Sequence, residues 1–273
     1  MNRRDRYRAV AEENLAIFHS GGYTTPDGEW YGLEPDLSQS RQETFIVEPG
    51  SAVPAGLYDT EITIGDEDTL QGLDSLRQAG VANPAVLNFA SARTPGGGFL
   101  RGGTAQEESL CRATTLYHAL ASQEAYYERN KVSSDARYAD IGLYTPKVRQ
   151  IRDEYGAVQP PSNLFSVVTV AAPNRRAAQE QGAQRSMGVA FDRCLEDRVA
   201  LILQIAASEG HDCLLLGAWG CGVFGNDPDR VARTFVSALG GKFAGSFRRV
   251  HFAVPSRIDQ ACFDAFASVI PKH

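Results

Sequence analysis

The chain has 273 residues, 43% of them apolar and 22% charged, with a formal net charge of −6 at pH 7. That is the composition of an ordinary globular protein, long enough for one large domain or two small ones. The negative balance argues against a general nucleic-acid binder, which would carry a basic stripe, but leaves room for a local pocket that takes a phosphorylated ligand.

The five cysteines (Cys111, Cys194, Cys213, Cys221, Cys262) are odd in number and widely spaced, with no C-x-x-C and no histidine at zinc-ligand spacing. They read as reduced thiols buried as small hydrophobes, and neither metal nor cofactor is expected. Residues Met1-Asn2-Arg3-Arg4-Asp5-Arg6 lack the apolar run of a signal peptide. No apolar run approaches the ~20 residues that span a bilayer, so the expectation is a soluble cytoplasmic protein with no membrane contact.

In chain order, Tyr7, Val10, Ala11, Leu15 and Phe18 recur at helical spacing and predict a helix over 3–20, stopped by Gly21-Gly22. Pro26-Asp27-Gly28 is a turn between two short aromatic-bearing segments, Tyr23–Thr25 and Glu29–Tyr31. Strands are expected at Thr44–Glu48 and Thr60–Ile64, then a helix between Asp66 and Ala79 that carries Leu70, Leu73 and Leu76 and ends at Gly80. The apolar run Ala85–Ala90 is a strand; it enters the glycine-rich turn Ser91–Gly103, and a helix opens at Thr104-Ala105-Gln106-Glu107-Glu108.

Residues 122–162 are polar, rich in Tyr and Arg and closed by Pro160-Pro161, and read as a partly helical insertion or long loop. Leu164–Ala171 is a continuous β-branched run, hence a strand buried on both faces. A long helix follows over roughly 184–208, with Met187, Phe191, Leu195, Val199, Ile202 and Ile205 in register. Strand Cys213–Ala218 feeds a second glycine-rich turn, Trp219–Asn226, and Asp227-Pro228 caps and starts the next helix. Arg249–Val254 is a last strand and Asp259–Val269 a closing helix. Alternating apolar strands and helices predict an α/β fold whose mixed, largely parallel sheet lies between helices. No linker is apparent, so one domain is expected, 1–43 being an accessory helical segment and 44–273 the core.

Two glycine loops, each between a buried strand and a helix N-terminus, should lie side by side at the carboxyl edge of the sheet, where open α/β folds bind ligands. Neither is a phosphate-binding P-loop or a G-x-G-x-x-G fingerprint. Two such loops suit a diphosphate held between walls of N–H groups. Phe224 is placed to stack on a base, or is a core aromatic. Thr104-x-x-Glu107 matches a capping box, which gives Glu107 a structural explanation. Glu108 has only a weak one, an i,i+4 pair with Arg112.

Gly96-Gly97-Gly98, followed after seven residues by Gln106-Glu107-Glu108, resembles the signature of bacterial-type poly(ADP-ribose) glycohydrolases, which are built on a macrodomain. Leu87-Asn88-Phe89-Ala90 and Gly217-Ala218-Trp219-Gly220-Cys221-Gly222-Val223-Phe224 carry the same resemblance, which runs from about residue 44 to 270. It implies a three-layer α/β/α macrodomain-like fold with an N-terminal helical extension. It also implies cleavage of the ribose–ribose O-glycosidic bonds of poly(ADP-ribose).

By that resemblance both glycine loops embrace the diphosphate, Phe224 stacks on adenine, Asn226 holds its loop, and Asn88 and Gln106 position ribose and carboxylates. Glu108 matches the catalytic acid and Glu107 holds a neighbouring ribose hydroxyl. Adjacent helix residues diverge by about 100°, so these carboxylates do not flank one bond as in ordinary glycosidases. One acid–base residue and an oxocarbenium ion beside phosphate is what remains. Burial is expected to raise the acid's pKa. ADP-ribose and its polymer, with ADP-ribosylated proteins, are the expected partners, with no direct DNA binding, in a DNA-damage setting. Three other readings stay open: a macrodomain that binds ADP-ribose without cutting, a hydrolase of mono-ADP-ribosyl or acyl-ADP-ribose conjugates, and a nucleotide-sugar or phosphate-binding protein of unrelated chemistry.

Overall fold

The computed structural model describes residues 2–133, 135–153, 156–181 and 188–270. Helix α1 (Arg3–Ser20) is capped by Asn2, whose side chain accepts from Asp5 N, and is ended by Gly21 at φ 69°. Strands β1 (Gly22–Thr24) and β2 (Trp30–Gly32) pair as a hairpin. Then come α2 (Glu34–Glu43), β3 (Phe45–Val47), β4 (Glu61–Gly65) and α3 (Thr69–Gln78). An Asp68–Gln71 capping box starts α3.

β5 (Ala85–Phe89) leads through the first glycine loop, which contains a 3-10 turn at Phe99–Arg101, into α4 (Gln106–Ala113). Next are α5 (Leu116–Leu120), α6 (Glu124–Val132), β6 (Gly142–Val148), β7 (Phe165–Val170), α7 (Arg175–Glu180) and α8 (Val189–Ser208). The chain closes with β8 (Cys213–Gly217), α9 (Pro228–Gly240), β9 (Arg249–Ala253) and α10 (Gln260–Val269). Met187, assigned above to the α8 stripe, lies outside the described residues.

The main sheet has seven strands in the order β3-β6-β7-β5-β8-β9-β4. β7, β5, β8, β9 and β4 run parallel, while β6 is antiparallel to both β3 and β7. Because side chains alternate across a strand, the central strands feed two cores. Leu87, Val168, Val170, Leu214 and Leu216 pack with α8, α9 and α10 on one face. Val86, Val167 and Leu215 pack with α3, α4, α5 and α6 on the other. The sheet is therefore the middle of three layers. A smaller cluster of Ile17, Phe18, Tyr23, Leu33 and Leu37 fastens α1, the hairpin and α2 onto Ile151.

The segment 122–162, expected to be a partly helical insertion or long loop, is partly helical but not an insertion. It holds α6 and, in β6, a strand integral to the sheet. Pro146 would break a regular ladder, and the register shifts between Thr145 and Val148, with Lys147 at φ 60°, to admit it. Among the described residues no helix is long and apolar enough to cross a membrane.

Candidate active site

β5 and β8 are neighbours and parallel, so the loops that leave them emerge side by side at one edge of the sheet. Close packing joins them at the root: a Cβ on Gly217 would stand 3.0 Å from Phe89 Cζ. Tyr138 bridges them further out, packed on Ala90, Ala92 and Ala171 and with its ring 6.2 Å from that of Phe224. Nothing in the sequence singles Tyr138 out. Its φ of 61° is uncommon for a bulky residue, and Arg198, 1% exposed, helps hold that backbone by donating to the carbonyls of Arg137 (3.0 Å), Tyr138 (3.3 Å) and Ala171 (2.9 Å).

α4 is locked to β5 by Gln106. Its Oε1 accepts from Phe89 N (2.8 Å), while Nε2 donates to Leu87 O (2.8 Å) and Thr69 Oγ1 (3.2 Å). The amide is thus spent on the protein and acts on the site by setting where α4 begins. Glu107, 2% exposed, accepts from Ser91 N at 2.8 Å and from Asn88 Nδ2 at 3.1 Å. Asn88 is fully buried and also donates to Thr169 Oγ1 (3.3 Å). Burial pushes the Glu107 carboxyl up to about 8, against the pull of those two hydrogen bonds and with a further rise from Glu108.

Glu108 Oε1 accepts from Gly98 N at 2.7 Å, whereas Oε2 is buried with no hydrogen-bond partner. The two carboxylates leave α4 in different directions yet meet over one glycine. A Cβ on Gly97 would lie 2.6 Å from Glu108 Oε1 and 3.0 Å from Glu107 Oε2, and its φ of 58° is itself costly for any other residue. What Gly97 and Gly98 come close to is therefore the pair of acids, whereas Gly96 packs against Tyr117 and Cys111.

That changes the expected division of labour between the loops. In the first, Gly97 N donates to Thr94 O and Gly98 N to Glu108, so two of the triplet's three amides are already used. In the second, the N–H groups of Gly222, Val223 and Phe224 find no acceptor among the described residues. Gly222 and Val223 are exposed and Phe224 half-buried, so three consecutive donors without an acceptor lie at or near the surface, where an anion can reach them. Asn226, 2% exposed, holds this loop, its Nδ2 donating to Pro173 O (2.9 Å) and Gly220 O (3.1 Å). Cys221 turns its thiol inward toward Trp219 O and Cys262, and the bond to Cys262 raises it well above the usual thiol range.

A family model described as microbial-type PARG, catalytic domain, matches residues 11–153. The solved poly(ADP-ribose) glycohydrolase (PARG) from Thermomonospora curvata is 37% identical, with TM-score 0.87, over 97% of this chain and 99% of that one. This chain belongs to the microbial-type PARG family. The Thermomonospora curvata enzyme bound to the inhibitor ADP-HPD matches equally well, at 37% identity and TM-score 0.88 over the same 97% and 99%. PARG from Deinococcus radiodurans in complex with ADP-ribose is 36% identical with TM-score 0.77, over 86% of this chain and 96% of that one. Comparison with curated proteins returns no match.

In this PARG-family chain the capping-box reading is corrected. α4 starts at Gln106, its N-cap is Ala105, and no side chain caps it. Thr104 is exposed, and Glu107 turns back to Ser91 and Asn88 rather than to the Thr104 amide. Arg112 does not bind Glu108; it donates to Gly103 O and Ser109 Oγ. Among the described residues no group of three or more His, Cys, Asp or Glu is placed to hold a metal ion.

Proposed function

We propose that this chain hydrolyses the ribose–ribose O-glycosidic bonds of poly(ADP-ribose), releases ADP-ribose, and uses Glu108 as its acid–base. The observation that carries the reading is the asymmetry of one carboxyl group: Oε1 of Glu108 is pinned by Gly98 N–H while Oε2 is buried and unpartnered. A buried polar atom without a partner is costly, and an incoming glycosidic oxygen supplies one.

Oε2–H donates its proton to the leaving ribose oxygen as the anomeric C–O bond breaks. The carbon left behind is an oxocarbenium ion, to which the substrate's own diphosphate lends negative charge. The Oε2 carboxylate then takes a proton from water as its oxygen bonds to that carbon, which restores the acid. Burial pushes the Glu107 carboxyl up to about 8, which favours its neutral form beside Glu108 while it holds a ribose hydroxyl.

Asn88 fixes Glu107, Gly97 and Gly98 give the acids room, and Gly96 lets the loop pack on Tyr117 and Cys111. The diphosphate is gripped chiefly by the amides of Gly222, Val223 and Phe224, with Gly217, Gly220, Cys221 and Asn226 shaping that loop and Phe224 stacking on adenine. Residues 1–273 act as one catalytic domain of macrodomain type, with 1–43 as its accessory layer. The setting we favour is cytoplasmic removal of poly(ADP-ribose) from modified proteins after DNA damage.

The purified protein should release ADP-ribose from poly(ADP-ribose), read by chromatography, and act more weakly on mono-ADP-ribosylated protein. Binding of ADP-ribose without release would make it a reader. Preference for the mono-modified substrate would make it a conjugate hydrolase.

A further inference from the structure

The first two turns of α1 carry Arg3, Arg4, Arg6 and Arg8 against a single carboxylate, Asp5. All four arginines are exposed, and among the described residues none forms a salt bridge. Further along the helix Glu13 is taken up by Arg152 at 2.9 Å. In a chain of net charge −6 this is a local reversal of sign.

The reversal sits beside the acids. Arg4 Nε donates to Arg101 O (3.0 Å) in the 3-10 turn that follows the glycine triplet. Next to it, Gly102 at φ 74° comes so close that a Cβ would collide with the Arg4 carbonyl oxygen. The following residue, Gly103, lies against Glu108, where a Cβ would stand 2.9 Å from Glu108 Cγ. Tyr7 of α1 lies under the Arg112 guanidinium, 4.1 Å from its ring centroid, and Arg112 itself donates to Gly103 O. Adjacent residues, Gly102 and Gly103, thus touch α1 and Glu108 respectively. Arg93 and Arg101, both exposed, extend the positive surface along the same loop.

We propose that the N-terminal turns of α1 form a docking surface for the poly(ADP-ribose) that lies beyond the bond being cut, with the polymer's pyrophosphates set against Arg3, Arg6 and Arg8. The proposal rests on the hydrolase reading above and gives the accessory helix its task. Each repeating unit of the polymer carries a pyrophosphate, and arginine's planar fork suits phosphate oxygens. Screening limits such attraction to about 8 Å at physiological salt. Attraction that short-ranged acts on polymer lying against the first turns of α1, which the Arg4 contacts place beside the loop that packs on Glu108, whereas the protein's overall negative charge is largely screened there. Polymer is favoured over nucleic acid as the occupant because the surface adjoins the acids.

The test is the triple variant R3Q/R6Q/R8Q, which leaves Arg4 to tie α1 to the loop. Three quantities are measured at 50 and 200 mM salt: polymer binding by filter retention, kcat/KM on long polymer and on oligomers of two or three units, and ADP-ribose affinity by calorimetry. Long-polymer binding and kcat/KM should fall tenfold or more. Oligomer turnover and ADP-ribose affinity should hold, and the salt dependence of polymer binding should flatten by roughly 0.7 for each phosphate left without its arginine. Lysine at the three positions should restore most of the loss.

Equal losses on oligomer and polymer, or none on either, would overturn the proposal. So would duplex DNA that competes with polymer for the wild type and loses its grip in the variant. If the wild type bound polymer through these arginines but released no ADP-ribose, the hydrolase reading would fail and the docking surface would stand.

Discussion

Gly97→Ala isolates the claim that a glycine stands at this position to admit the two acids. Alanine at φ 58° costs about 1–2 kcal/mol of backbone strain. The new methyl would stand 2.6 Å from Glu108 Oε1, so that carboxyl group must swing off Gly98 N and give up a hydrogen bond worth about 0.5–1.5 kcal/mol. The combined loss of stability is about 1.5–3.5 kcal/mol, a fall in Tm of roughly 3–14 °C for a chain of this size. Displacing the acid by about 1 Å should lower kcat on poly(ADP-ribose) some 10²-fold. ADP-ribose affinity should change far less, because the free amides of the second loop are untouched. Melting curves and steady-state turnover read both effects. A control is Gly240→Ala, where nothing lies within 4 Å of the added carbon and no loss of stability is expected. If Gly97→Ala kept its turnover within threefold of wild type, the carboxylates would not be what the glycine makes room for.

The pH dependence of stability follows from Glu107. Its carboxyl rises from 4.5 in the unfolded chain to about 8 in the fold, so between those values the folded state holds a proton that the unfolded state has lost. Stability from this group is full below about pH 4.5 and falls by up to about 1.4 kcal/mol per unit as pH rises to 8. Glu107→Gln should flatten that slope, and urea unfolding at pH 5, 6.5 and 8 will show it; an unchanged slope would place the effect elsewhere. Gln106→Ala removes three bonds between α4, β5 and Thr69 and should cost about 2–4 kcal/mol of stability. Lost ADP-ribose affinity at unchanged stability would instead make Gln106 a ligand contact.

How much of this was legible depended on whether local pattern or tertiary packing decided each element. β5, β7 and β8 are apolar runs buried on both faces, and such strands announce themselves in composition. α9 carries its own start signal in Asp227-Pro228. β6 does not: Pro146 and the left-handed Lys147 read as a break, and only the shifted pairing with β7 makes the segment a strand. α2, α5 and α7 are short, and their sequences are too mixed to show a period.

At the site, Gln106-Glu107-Glu108 and both glycine loops were visible as a motif. The capping box was not realised because Gly103 packs against Glu108, and Glu107 gains more from Ser91 N and Asn88 inside the core than from its own helix end. Which loop keeps free amides for an anion depends on where side chains have already taken them, and Tyr138 owes its place to an uncommon φ. No spacing in the chain encodes either.

Turnover and ADP-ribose affinity of Glu108→Gln, measured side by side, test the central claim most directly. The substitution keeps an acceptor for Gly98 N and removes the proton that the leaving oxygen needs. ADP-ribose release from polymer should fall at least 10²-fold while ADP-ribose affinity and melting temperature stay close to wild type. Release within tenfold of wild type would mean that the proton comes from another group.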